Sequence, residues 1–90
     1  MRPRETIADD PPAVALQVLV WVLGDELRRE RLLALTGLTG EDIRARIGEA
    51  ALLDAVMGFV EGHQPDLLAC ADALGLTPER LIAARERLMA

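Results

Sequence analysis

One turn is written twice in this chain. Gly37-Leu38-Thr39-Gly40-Glu41 and Gly75-Leu76-Thr77-Pro78-Glu79 repeat the same order of side-chain chemistry 38 positions apart. In each, a glycine stands where a helix has to end, because without a Cβ it enters the left-handed region at little cost. The leucine that follows turns back toward the core. Threonine then offers its hydroxyl to the first free N–H groups of a new helix. An acidic residue two positions later meets the positive end of that helix's dipole. A chain punctuated in this way is made of helices. No stretch alternates polar and apolar residues with period two, so no strand is expected. Two units are too few for a repeat array, and the match thins outside the turn, so the same turn physics is used twice.

The periodicity between the turns divides the chain. Residues 1–12 hold three prolines and no periodic pattern and are expected to form a flexible N-terminal arm, with residues 13–90 a single helical domain. The first helix, over 13–23, is apolar all round except for Gln17, the pattern of a helix enclosed by others. Trp21 is its core anchor. Asp25 caps a second helix over 26–35, whose charged first half pairs Asp25 and Glu26 with Arg29 on a solvated face. A third helix over 40–47 turns Ile43 and Ile47 inward and pairs Asp42 with Arg46. The fourth, over 49–61, has the cleanest stripe: Leu52, Leu53, Val56, Phe59 and Val60, with Asp54 and Glu61 opposite. Gly58 costs about 1 kcal/mol relative to alanine inside a helix and marks a close crossing by another one. Gly62-His63-Gln64-Pro65 breaks the chain. A fifth helix over 65–74 buries Leu67, Leu68, Ala71 and Leu74. The sixth, over 78–89, buries Leu81, Ile82, Leu88 and Met89, with Pro78 at a first position that needs no N–H. The expected fold is all-α, a compact orthogonal bundle of five to six short helices around the buried apolar N-terminal one.

Charge and composition narrow the function. Ten arginines face fifteen acidic residues for a net charge of −5, which repels phosphate backbones and anionic membrane surfaces at long range. The apolar run ends after eleven residues, whereas a membrane span needs about 20. Glu5, Asp9, Asp10 and a Pro-Pro pair precede the run and no small-residue cleavage site follows it, so a cytoplasmic protein is expected. Cys70 is the single cysteine and sits in an apolar stretch, as a small core hydrophobe.

Catalytic raw material is sparse. There is no serine, and threonine occurs only at positions 6, 36, 39 and 77, two of them helix caps. Cys70 and His63 lie seven residues apart across a chain break, with no oxyanion feature beside them. His63 has only Glu61 and Asp66 as neighbouring hard ligands, without a metal-site spacing, and is read as a histidine at a helix C-terminus. No glycine-rich phosphate loop follows a strand. No enzyme, cofactor or metal is therefore expected.

One nucleic-acid reading remains. Residues 67–86 resemble a helix-turn-helix: Ala71 suits the small-residue position of its first helix, Gly75 suits its turn, and Leu74, Leu76, Leu81 and Ala84 suit its packing. The reading face would carry Thr77, Pro78, Glu79, Ile82, Ala83 and Glu86, where base and phosphate contacts want Arg, Lys, Asn, Gln or Ser. Thr77, Arg80 and Arg87 are its candidate contact residues. The scaffold matches and the reader does not.

Ala15-Leu16-Gln17 leading to Trp21, then Asp25-Glu26, Leu33-Ala34-Leu35-Thr36-Gly37-Leu38, Asp42-Ile43-Arg44 and Gly62-His63-Gln64-Pro65-Asp66-Leu67-Leu68 form a set over residues 13–88. As a set the chain resembles a bacterial family of single-domain, roughly ninety-residue proteins known as a domain of unknown function. That resemblance implies an all-helical fold and no assigned activity. The expectation for function is a non-enzymatic protein-binding adaptor or regulator, with helix-turn-helix nucleic-acid binding as the alternative. The charged ridge 25–31 and the corner 62–66 offer the arginine-rich polar surface of interface rims, which makes Arg28, Arg31, His63 and Asp66 the candidate partner contacts. A monomer or weak homodimer is expected, because 51% hydrophobic content in so small a domain leaves room for an exposed apolar patch.

Overall fold

Helix ends fall where capping chemistry places them. The computed structural model describes residues 10–90. Among the described residues six helices follow one another without a strand: α1 Pro11–Leu23, α2 Glu26–Thr36, α3 Gly40–Arg46, α4 Ala50–Glu61, α5 Gln64–Leu74 and α6 Pro78–Leu88. Asp10 caps α1 by accepting from the Ala13 amide, so the helix begins two residues earlier than expected and takes both prolines into its first turn. Residues 1–9 of the expected arm lie outside the described residues. Asp25 caps α2 through the Arg28 amide at 3.0 Å. Thr39 and Asp42 cap α3 reciprocally, each side chain accepting the other residue's amide at 3.0 Å. Thr77 caps α6 through the Arg80 amide.

Gly37 and Gly75 are the residues with positive φ among those described, at 77° and 73°. The twin turns nevertheless close differently. After α5, Leu76 N–H donates to the Ala71 carbonyl and Gly75 N–H to that of Asp72, a Schellman closure. After α2, Gly37 N–H reaches the Leu33 carbonyl, while Leu38 N–H donates to the Thr36 hydroxyl, itself donating to the Leu32 carbonyl. Threonine rather than leucine before the glycine supplies the second acceptor locally.

The core gathers around α1, which packs against α2, α4, α5 and α6. Its Val14, Ala15, Val18, Leu19 and Val22 meet Leu32 of α2, the Leu52/Leu53/Val56/Met57/Val60 stripe of α4, Cys70 and Ala71 of α5, and Leu81 and Ala84 of α6. Ile43 anchors short α3 at the edge. Several side chains depart from expectation. The far side of α1 is not enclosed: Leu16 and Val20 are 40% and 70% exposed, because α3 joins the edge of the bundle instead of closing the ring. Trp21 is half-buried at that helix's end. Leu68 is exposed, since α5 turns its 67-70-71-74 stripe inward and 68 falls off that line. Ile47 and Met89 are C-cap residues, past the last turns that would have buried them, and both are exposed. Cys70 is fully buried as expected, and that burial pushes its thiol up to about 11.

Candidate functional site

Three of the four sequence-chosen contact residues meet at one corner. The chain leaves α4 at Gly62, and His63 takes the N-cap of α5 with extended backbone but without a side-chain cap bond. It therefore belongs to the start of α5 rather than to the end of a helix, as the sequence suggested. Asp66 lies in the first turn of α5, where the dipole favours a carboxylate. Its Oδ2 lies 2.8 Å from Arg31 Nη2 of α2 and 3.0 Å from His63 Nδ1. Arg31 Nη1 is 3.4 Å from the same His63 nitrogen. One nitrogen cannot donate to Asp66 and also accept from Arg31. The Asp66 contact is the shorter, which assigns the Nδ1 proton to it and leaves Nε2 as the neutral ring's acceptor.

Exposure is uneven across this trio. The Asp66 side chain is 12% exposed, against 41% for Arg31 and 49% for His63. The carboxylate is covered while the nitrogen-bearing groups show. Beside them lies an open cleft of about 370 Å³ between Arg31, Leu35 and Thr36 of α2 and Gly58 and Phe59 of α4, closed by Gly62 and His63. Arg31 also stands 5.7 Å from the Phe59 ring centroid, and Leu35 is exposed at the rim.

Arg28 does not join them. Its guanidinium stacks 3.7 Å over the Trp21 ring, and Nη2 donates to the Trp21 carbonyl at 2.7 Å. Arg29 does not make its expected surface pairs but donates to the Leu23 carbonyl at 3.2 Å. Arg29 thus satisfies the Leu23 carbonyl left open at the end of α1, and Arg28 adds a second donor to a Trp21 carbonyl that already takes the Gly24 amide at 3.3 Å. The charged first half of α2 is in part a joint between helices, not simply a solvated face. Likewise, Arg46 pairs with Glu49 at 2.9 Å, leaving Asp42 to its capping role.

A second ionic cluster escaped the sequence. Arg85 of α6 reaches across Gly58 to α4, with Nε 2.8 Å from Asp54 Oδ1 and Nη1 3.2 Å from Glu61 Oε1. Hydrogen bonding to Asp54 makes the guanidinium hold its proton still more firmly. Asp54 and Glu61, expected on an open face, are both partly buried here. The close approach foreseen at Gly58 is real, but what arrives is a side chain: a Cβ there would stand 2.9 Å from Arg85 Nη2. Glycine between two same-face carboxylates was the available signal.

The helix-turn-helix candidates occupy the outside of α5–α6. Ala71, Leu81 and Ala84 are buried and Leu74 and Leu76 half-buried, as that packing requires. Thr77 is engaged as the cap, and Arg80 and Arg87 are exposed together with Glu79 and Glu86, so this face is close to neutral. Arg85 points into the protein. Among the described residues no group of three His, Cys, Asp or Glu side chains converges as a metal site, and no helix is long and apolar enough to cross a membrane.

The chain belongs to the family described as protein of unknown function (DUF3572), whose profile matches residues 8–90. The match begins five residues ahead of the stretch that carried the resemblance. No curated protein and no solved structure matches the chain.

Proposed function

We propose that this DUF3572 protein is a non-enzymatic, cytoplasmic protein-binding regulator whose contact surface is the Arg31–His63 corner and its cleft. The observation that carries the reading is the uneven exposure of the trio. A buried carboxylate holds an arginine donor and a histidine acceptor in place beside an apolar floor of Phe59 and an exposed Leu35. Side chains fixed before binding lose little entropy on association, and arginine with aromatic surface is the chemistry of interface hot spots. The partner segment that fits carries an acceptor or carboxylate for Arg31 next to an apolar side chain.

Capture from a nuclease-treated native lysate at low salt tests this. Leu35→Glu and His63→Ala change exposed groups without removing the Arg31–Asp66 bond, and both should lose a partner that wild type and Arg44→Glu retain. Retention of the same proteins by all four would reject the corner. A second reading, nucleic-acid binding through residues 67–86 with Thr77, Arg80 and Arg87, draws support from the α5–α6 packing. It requires nucleic acid to co-elute in a parallel, untreated capture, to leave as salt rises, and to be weakened by Arg80→Ala.

A further inference from the structure

We propose that the open side of α1, with the neighbouring edge of α5, is the interface of a weak homodimer. From Pro11 to Leu23, α1 carries no charged residue and only Gln17 among polar ones. Each of the other helices includes charged residues, so α1 is the exception to the rule that a helix charges its solvent face. The inner stripe of α1 is spent in the core. Outside, Leu16, Gln17 and Val20 line an open cleft of about 390 Å³ with Ala73 and Leu74 of α5. Val20 is 70% exposed, so an apolar β-branched residue of the central helix stands in water.

The occupant follows from charge and shape. Each chain carries −5, so two copies repel wherever their acidic surfaces face each other. The α1–α5 cleft is lined without a charge, and there identical copies meet with no like-charge contact. Leu16 and Val20 of α1 line the same open cleft as Ala73 and Leu74 of α5. A two-fold rotation about this face sets the apolar side chains of one copy against those of the other, the self-contact of an isologous dimer. The chain's own residues 1–9 are a poorer chemical match, since Arg2, Arg4, Glu5 and Asp9 make four of the nine charged.

Area sets the strength. A standard interface buries about 800 Å² per partner, roughly 15% of this chain's 5329 Å². A thirteen-residue helix is about 20 Å long, and with one neighbouring helix about 10 Å away it offers around half of that standard area. The dimer is therefore weak and reversible, since an interface of this size falls at the low end for specific contacts. This surface shares no residue with the Arg31–His63 cleft, so the two proposals stand or fall separately.

Sedimentation equilibrium of the full chain over about 5–500 µM tests it, a range in which a weak, micromolar dimer exchanges visibly with monomer. Wild type should show reversible monomer–dimer exchange. Val20→Glu should weaken it by about tenfold or more, because it places a charge in an apolar contact. Leu27→Glu, equally exposed at 71% but outside the cleft, should leave it unchanged. Raising salt from about 50 to about 500 mM should tighten the dimer by screening the repulsion between the two acidic copies. Circular dichroism confirms that each variant is folded. A monomer throughout, a dimer indifferent to Val20→Glu, one broken equally by Leu27→Glu, or one loosened by salt would each overturn the assignment.

Discussion

Replacing Gly58 by alanine should destabilise the protein, against the usual sign. In a helix interior the exchange normally adds about 1 kcal/mol, because alanine has less backbone freedom to lose. At this position the new methyl would stand 2.9 Å from Arg85 Nη2 and 3.0 Å from its Cζ, so the guanidinium has to move. It is tied by Nε to Asp54 at 2.8 Å and by Nη1 to Glu61 at 3.2 Å, and displacing it breaks both contacts. The three side chains are 33%, 31% and 23% exposed, so solvent screening holds each pair to about 1 kcal/mol or less. Glu61 already keeps Oε2 buried without a hydrogen-bond partner, and leaving its second oxygen bare adds on the order of 1 kcal/mol. A loss of about 2–3 kcal/mol against a gain of about 1 leaves a net cost of about 1–2 kcal/mol.

For a domain of this size that cost lowers the melting temperature by roughly 5–15 °C. The decisive comparison is the double-mutant cycle with Arg85→Ala, read by urea unfolding with far-UV circular dichroism and Trp21 fluorescence. Without the guanidinium, Gly58→Ala regains its normal sign and stabilises by about 1 kcal/mol, so the coupling comes to about 2–3 kcal/mol. Equal stabilisation by Gly58→Ala in both backgrounds would show that Arg85 does not hold this position in solution, and the argument would fail.

Cys70, fully buried with its thiol pushed up to about 11, should resist a thiol-specific reagent in the native protein at neutral pH and react at once in denaturant; native labelling would contradict its burial. The hydrogen bond from the Thr39 amide, foremost, and that of the Thr39 hydroxyl region hold the Asp42 carboxyl below its usual 3.8. The folded value lies under the unfolded one, so this stabilisation is present above about pH 4 and lost as pH falls through the folded value. Asp42→Asn should therefore flatten that part of an acid-unfolding curve. Gly37→Ala and Gly75→Ala meet nothing within 4 Å, so each should cost only the left-handed backbone penalty of about 1 kcal/mol, and the two should add in chemical denaturation.

What could be read from the sequence was the chemistry that acts within one turn of helix. Gly37, Gly75, Asp25, Thr39 and Thr77 terminate or start helices by contacts spanning a few residues, and each does so here. Arg31 of the charged ridge and His63 and Asp66 of the 62–66 corner converge, though spacing along the chain could not show that a single Asp66 oxygen binds both others. Arg28 does not join because its guanidinium is held on the Trp21 ring and carbonyl at the end of α1. The Arg85 cluster was hidden because its partners lie 31 and 24 residues away, and a helix face paired across the bundle has the same local pattern as one turned to water. The open side of α1 was missed for the converse reason. All-round hydrophobicity records that a helix must be covered without recording whether its own chain does the covering.

The placement of the arginines gives these features a common cause. A core of Leu, Val, Ala and Ile packs well in several helix registers, since volume and pattern alone tolerate much rearrangement. Guanidinium groups present several donors in a fixed plane, so one side chain can bind two partners at once where a lysine would supply a mobile point charge. Here they hold helices to one another: Arg28 and Arg29 join α2 to the end of α1, Arg31 joins α2 to α5, and Arg85 joins α6 to α4. Partly exposed pairs of this kind add little net stability, but they penalise any register that separates them. The α1–α5 cleft carries no such tie and no charge along its lining. Polar groups that specify the monomer's geometry are thus kept off the one face whose chemistry suits a second copy, and an arginine placed there would have to lose its hydration to be covered.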